Sequence, residues 1–126
     1  MIYAAPSQAL AALETIVHLA AGCFPINRYV VRIDVPLEIW TRRMAIDEGD
    51  APGGWDAIPA GQTSIYFGKD WAAGAKSALL LVPSIVVPME QNVLINPCHP
   101  DAAAFLFTTV RRFNFDTRLV RPVVSV

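Results

Sequence analysis

Residues 7–22 constrain the fold more than any other stretch of the chain. Ser7 is a good N-cap, strong helix formers follow it, and Gly22 is a stop, so the spacing predicts a helix over 8–21. Leu10, Leu13, Val17 and Ala20 recur at helical spacing and predict one buried face. Glu14 sits at the edge of that face, in a run otherwise free of charge. His18 is one turn further on and adjacent to it on the helix surface. A carboxylate half-sunk against an apolar wall can serve in catalysis. It can equally be a boundary glutamate paired with His18, and the pattern alone leaves both readings open.

The remaining elements are shorter. Residues 1–5 read as the tail of a strand ending at Pro6, and 28–35 as a strand closing at Pro36. Residues 37–43 suit a turn or two of helix. The stretch 47–62 carries Pro52, Gly53, Gly54, Pro59 and Gly61 and reads as a loop. A short helix is expected over 67–77, with Trp71, Ala75 and Ala78 on one face. Residues 78–82 and 85–87 are β-rich runs broken by Pro83 and Ser84. A brief strand over 93–96, a turn over 97–104 and a late strand over 105–115 complete the pattern. The fold class expected is α+β, a single mixed domain rather than alternating βαβ units.

Charge and hydropathy exclude some functions. A net charge of −1 and a pI near 6.0 argue against holding nucleic acid by bulk electrostatics. Mean hydropathy is +0.40, yet the most apolar stretches are short or interrupted by Glu14, His18, Pro83 and Ser84. A membrane span needs about 20 mostly apolar residues, so no membrane association is expected. Charged residues are only 17% of the chain, low for a domain of 126 residues, and the surplus apolar surface predicts a partner chain. The N-terminal residues have no signal-peptide pattern, and two cysteines form no disulfide framework, so a cytoplasmic location is expected.

Other polar residues carry weaker signals. Ser84 is held between two hydrophobic runs by Pro83, where its hydroxyl can meet a ligand or simply bond a local turn. It lacks a GxSxG elbow, which counts against a serine hydrolase. Asn92 and Asn96 can bind a ligand amide or ribose, although Asn96 before Pro97 is also turn chemistry. Cys98 and His99 are too few for zinc, and Glu14 with His18 does not form HExxH, so no metal is expected. Arg111, Arg112, Arg118 and Arg121 suit either phosphate contact or a solvated strand face.

Taken together, several segments resemble the RES-domain family, the toxins of Xre–RES toxin–antitoxin pairs. These are Tyr3-Ala4-Ala5, then Ala9-Leu10-Ala11-Ala12-Leu13-Glu14 with Val17-His18-Leu19, then Gly68-Lys69-Asp70-Trp71. Leu81-Val82-Pro83-Ser84 follows, with Val87-Pro88 and Asn92-Val93-Leu94-Ile95-Asn96-Pro97. His99-Pro100-Asp101 and Phe115-Asp116-Thr117-Arg118-Leu119 end the series. The resemblance implies one RES domain over residues 1–126 with an ADP-ribosyltransferase-like fold. The family's namesake Glu and Ser fall on Glu14 and Ser84. Its Arg belongs to a Gly-Gly-Arg-Trp-like segment, expected upstream of Tyr3 and unmatched here.

The resemblance further implies that NAD+ is the substrate, attacked at its nicotinamide–ribose bond by phosphorolysis, hydrolysis or ADP-ribosyl transfer. Glu14 would be catalytic, stabilising oxocarbenium character on the ribose. Tyr3 would stack on the nicotinamide, Ser84 would bond its carboxamide or ribose, and Asn92 would be a further ligand. An Xre-type helix-turn-helix antitoxin is the implied partner, in a hetero-oligomer. The alternative is a shortened, non-catalytic domain that binds an antitoxin or regulates.

Overall fold

The computed structural model describes residues 1–19, 23–46 and 62–119, with side chains of the last stretch from Gly68 onward. Its organising element is β4 (Leu79–Pro83), whose first four residues are all buried. Successive side chains on a strand point to opposite faces, so an unbroken apolar run needs cover on both. Leu79 and Leu81 enter one cluster with Ile39, Ala78, Val93, Ile95 and Phe105. Leu80 and Val82 enter a second with Trp71 and Leu94. Both faces of the sheet are therefore cores.

The sheet order is β1 (Ile2–Ala4), β5 (Gln91–Ile95), β4, β3 (Met44–Ala45). β5 lies antiparallel to both β1 and β4, and β3 runs parallel to β4. One cluster takes Ile39 from α2 (Leu37–Thr41), and the other takes Trp71 from α3 (Gln62–Gly74). Hydrogen bonds tie α3 to the sheet. The Trp71 indole donates to Ser77 Oγ at 3.2 Å, and Asn96 Nδ2 donates to the Ala72 carbonyl at 3.0 Å. A separate antiparallel ribbon joins β2 (Arg28–Asp34) to β6 (Leu106–Phe113), with a bulge between Val30 and Val31. Ile33 and Val35 anchor it to the first core cluster. Tyr29, Val31, Leu106, Phe107 and Val110 remain exposed on it, which is where part of the surplus apolar surface lies. No helix among the described residues is long and apolar enough to cross a membrane.

The α+β class agrees with the sequence, and several boundaries do not. The first helix, α1 (Gln8–Val17), is capped by Ser7 as expected, its hydroxyl accepting from the Leu10 amide at 3.2 Å. It ends four residues early, because His18 serves as C-cap, its amide donating to the Glu14 carbonyl while the Leu19 amide turns back to the Ile16 carbonyl. Only Leu10 is buried. Leu13 and Val17 are exposed, and Ala20 and Gly22 lie outside the described residues. The expected loop also lies outside them, except that Gln62 already begins α3. That helix starts five residues before the expected one and stops at Gly74. Ala75 follows with φ of 49°, so of the three residues expected on one helical face only Trp71 is in the helix.

Residues 85–87 are bends, not a strand. The Ser84 amide donates to the Glu90 carbonyl and the Val87 amide to Ser84 Oγ, which folds this stretch into the β4–β5 connection.

Candidate active site

The register of β4 and β5 decides which polar groups meet. Asn92 pairs with Val82, and Ser84 follows Pro83 at the end of β4, so both sit at the same end of the sheet. β1 reaches that end too, with Ala4 opposite Val93. Helix α1 crosses here and brings Glu14 to both polar residues. Ser84 Oγ donates to Glu14 Oε1 at 2.9 Å, and Asn92 Nδ2 donates to the same oxygen at 2.7 Å. Charge-assisted bonds of this kind are roughly twice as strong as neutral ones. Two of them on one oxygen fix the carboxylate in a single pose.

Ser84 is itself held rigidly. It is 4% exposed, and its hydroxyl accepts from the Val87 amide at 3.0 Å while donating to Glu14. The Asn92 side chain spends its amino group on Glu14, and its buried Oδ1 has no partner among the described residues. An unpaired buried acceptor costs about 1–3 kcal/mol. Folds tolerate such a cost most readily where function requires the arrangement.

A cavity of about 380 Å³ opens beside Glu14, lined by Tyr3, Ala4, Ala5, Ala11, Glu14, Thr15, His18 and Asn92. This volume lies near the lower end of the roughly 300–1,000 Å³ common to small-molecule sites. The wall supplied by α1 is the stripe Ala11, Glu14, Thr15 and His18, spaced as neighbours on one helical face. Tyr3 is 72% exposed and forms part of the opposite wall from β1. A smaller cavity of about 150 Å³ lies on the other side of Thr15, between α1 and the ribbon, and includes Arg28, Tyr29, Phe113 and Phe115.

Glu14, Asn92 and Tyr3 thus share one cavity, and Ser84 reaches it through Glu14 rather than by lining it. Asn96 does not come near. Its side chain closes a turn, accepting from the Cys98 amide and donating to Ala72. His99 is an N-cap for the 3-10 turn Pro100–Ala104, accepting from the Asp101 amide at 3.0 Å. Arg111, Arg112 and Arg118 bond Gln8, Asn27 and Asp116 respectively, and Arg121 lies outside the described residues. The Arg118 guanidinium beside Asp116 holds that carboxyl below its ordinary value, and neither residue lines the cavity. Among the described residues no three His, Cys, Asp or Glu side chains cluster to hold a metal.

Thr15 and Ala11 are cavity residues that pattern reading did not single out. Their signal was present in the spacing with Glu14 and His18, but it was overshadowed by the apolar stripe on the neighbouring face. Thr15 Oγ1 donates to the Ala11 carbonyl at 2.8 Å, which ties these two wall residues together.

Comparison with known proteins identifies the family. A "Prs ADP-ribosylating toxin" of Sphingobium sp. (strain YBL2) is 51% identical over 121 residues, covering 96% of this chain and 75% of that protein. Proteins named "Toxin Res" are 32% identical in Photorhabdus laumondii subsp. laumondii and 34% identical in Yersinia enterocolitica. These alignments cover 95% and 94% of this chain, and 76% of each relative. Residues 1–116 match the RES domain, and the chain belongs to that family.

Proposed function

We propose that this chain is a RES-type toxin that consumes NAD+ by breaking the nicotinamide–ribose bond in the 380 Å³ cavity. The observation that carries the reading is the pose of Glu14. Its carboxylate stands in the cavity wall with one oxygen clamped by Ser84 and Asn92, and Oε2 has neither of these donors.

The chemistry follows from that pose. When the C1′–N bond breaks, its electron pair leaves with neutral nicotinamide and positive charge spreads over C1′ and the ring oxygen. A carboxylate fixed in advance stabilises that charge without reorganising as the reaction proceeds. Glu14 supplies it. Ser84 and Asn92 position Glu14, and Asn92 also lies within reach of a ligand. Tyr3 offers an exposed ring on which the planar nicotinamide stacks. The acceptor that replaces nicotinamide is water, phosphate or a protein side chain, the last being favoured by the name of the Sphingobium relative.

The partner in this reading is an Xre-type antitoxin in a hetero-oligomer, supported by the relatives named as toxins and by the apolar residues exposed on the β2–β6 ribbon. Action on the cellular NAD+ pool places the protein in the cytoplasm. The test is direct. Purified protein is incubated with NAD+, and free nicotinamide is measured. Release by the wild type and its loss in Glu14→Gln support the proposal. A folded wild type that leaves NAD+ intact, alone and with cell extract as a source of acceptor, overturns it.

A further inference from the structure

The last residue of the cavity stripe, His18, has no part in the clamp on Glu14. Its Nδ1 lies 2.6 Å from the Glu14 main-chain carbonyl and 3.9 Å from the Glu14 carboxylate. A carbonyl oxygen only accepts, so Nδ1 carries the proton and donates it. In the neutral ring that choice makes Nε2 the basic nitrogen. The ring thus closes the C-terminal turn of α1 through one nitrogen, and the other has no hydrogen-bond partner among the described residues. It forms cavity wall while its side chain is 76% exposed, so a ligand and bulk solvent both reach it.

We propose that His18 is the general base that takes the proton of the incoming acceptor. This rests on the NAD+-cleaving function proposed above and deepens it. The acceptor class is an O–H nucleophile, either water or a protein hydroxyl. Its oxygen forms the new bond to C1′ as the C1′–N bond breaks. The electron pair of the broken bond leaves on nicotinamide. The acceptor's proton passes to Nε2 and then to solvent, which resets the ring. Glu14 and His18 then divide the work: the clamped carboxylate faces the developing cation, and the imidazole on the next turn activates what attacks it. Glu14 is poorly suited to both tasks, because the hydrogen bonds that fix it for the first oppose movement for the second.

Three titratable groups line the cavity among the described residues: Glu14 and His18 from α1, and Tyr3 from β1. Of these side-chain types only imidazole ordinarily changes charge between about pH 5 and 8. The test follows nicotinamide release and ADP-ribosyl product from pH 5 to 9 in wild type, His18→Gln and His18→Ala. An acid limb is expected in the wild type, and both variants lose it. Turnover in the variants falls about 100-fold, with KM for NAD+ held within a few-fold. Added imidazole restores part of the rate in His18→Ala, a rescue that a merely structural role would not show. Variants with wild-type rate and limb, or a deficit that imidazole leaves untouched, overturn the assignment while NAD+ cleavage stands. A wild type that cleaves no NAD+ overturns both.

Discussion

The Ser84 hydroxyl donates to Glu14 Oε1 across 70 residues of chain, and Asn92 donates to the same oxygen across 78. The three residues come from a helix, a strand end and a neighbouring strand, so the carboxylate is held by the tertiary fold itself. Replacing Glu14 by Gln retains an oxygen where both donors point and removes the charge. Glu14→Gln is therefore expected to fold with a thermal midpoint close to wild type, while nicotinamide release falls by about three orders of magnitude. Calorimetry and an NAD+ consumption assay on the same preparation check both halves.

Ser84→Ala and Asn92→Asp separate the two halves of the clamp. Ser84→Ala removes a donor to Glu14 and leaves the Val87 amide unpartnered, so stability is expected to drop by about 1–3 kcal/mol along with activity. Asn92→Asp keeps the shape and sets a second carboxyl against Glu14 at the 2.7 Å contact. Two carboxylates at such range cannot both ionise readily, and they share a proton. Activity is expected to fall further than in Asn92→Ala, with the remainder shifted to higher pH. A pH–rate profile of the two variants decides it.

Some of this was legible in the residues and some was not. Ser7, the alternation over β2 and β6, and the apolar run of β4 announce their elements through local propensity and period. The family resemblance singled out Glu14 and Ser84, but no local pattern states that their side chains touch. That contact depends on the register of β4 against β5 and on where α1 crosses the sheet. Helical periodicity also misled. It marks Leu13 and Val17 as buried, yet they are exposed, and the stripe beside them forms the cavity wall. An apolar stripe shows that a helix has a face, and only the packed structure shows whether core, cavity or partner meets it. Residues 85–87 have strand propensity, but the bonds of Ser84 with Val87 and Glu90 turn them into a connection.

Asn96 is a structural counterpart to Asn92. It is 3% exposed, its amino group caps the Ala72 carbonyl near the end of α3, and its oxygen takes the Cys98 amide. Asn96→Ala is expected to cost about 1–3 kcal/mol by leaving both groups unpaired. Asn96→Asp should be worse, since it keeps the acceptor, loses the donor and buries a charge. Denaturant melts give the ranking. Cavity chemistry is untouched, so NAD+ cleavage per folded molecule should match wild type in both.

The β4–β5 connection contains a strained residue whose relief is measurable. The Glu90 amide donates to the Val87 carbonyl at 3.2 Å, closing a four-residue turn with Pro88 second and Met89 third. Met89 has φ of 73°, as the third position of a type II turn requires. Pro88 suits its place, because its ring presets φ near −65°. Met89 does not, since a side chain in the left-handed region costs about 1–2 kcal/mol. Its side chain gains nothing to offset this, being 96% exposed. Met89→Gly removes the clash but enlarges the conformational freedom of the unfolded chain, a loss of about 0.4–1 kcal/mol. The balance is a stabilisation of up to about 1.6 kcal/mol, or a few degrees in thermal midpoint. Met89→Asn should fall between, because Asn tolerates the region better than Met. Met89→Ala keeps the Cβ and should match wild type, and the order Gly, Asn, then Ala with Met in calorimetry is the signature of backbone strain. An order led by Ala would place the effect in the exposed Met side chain instead.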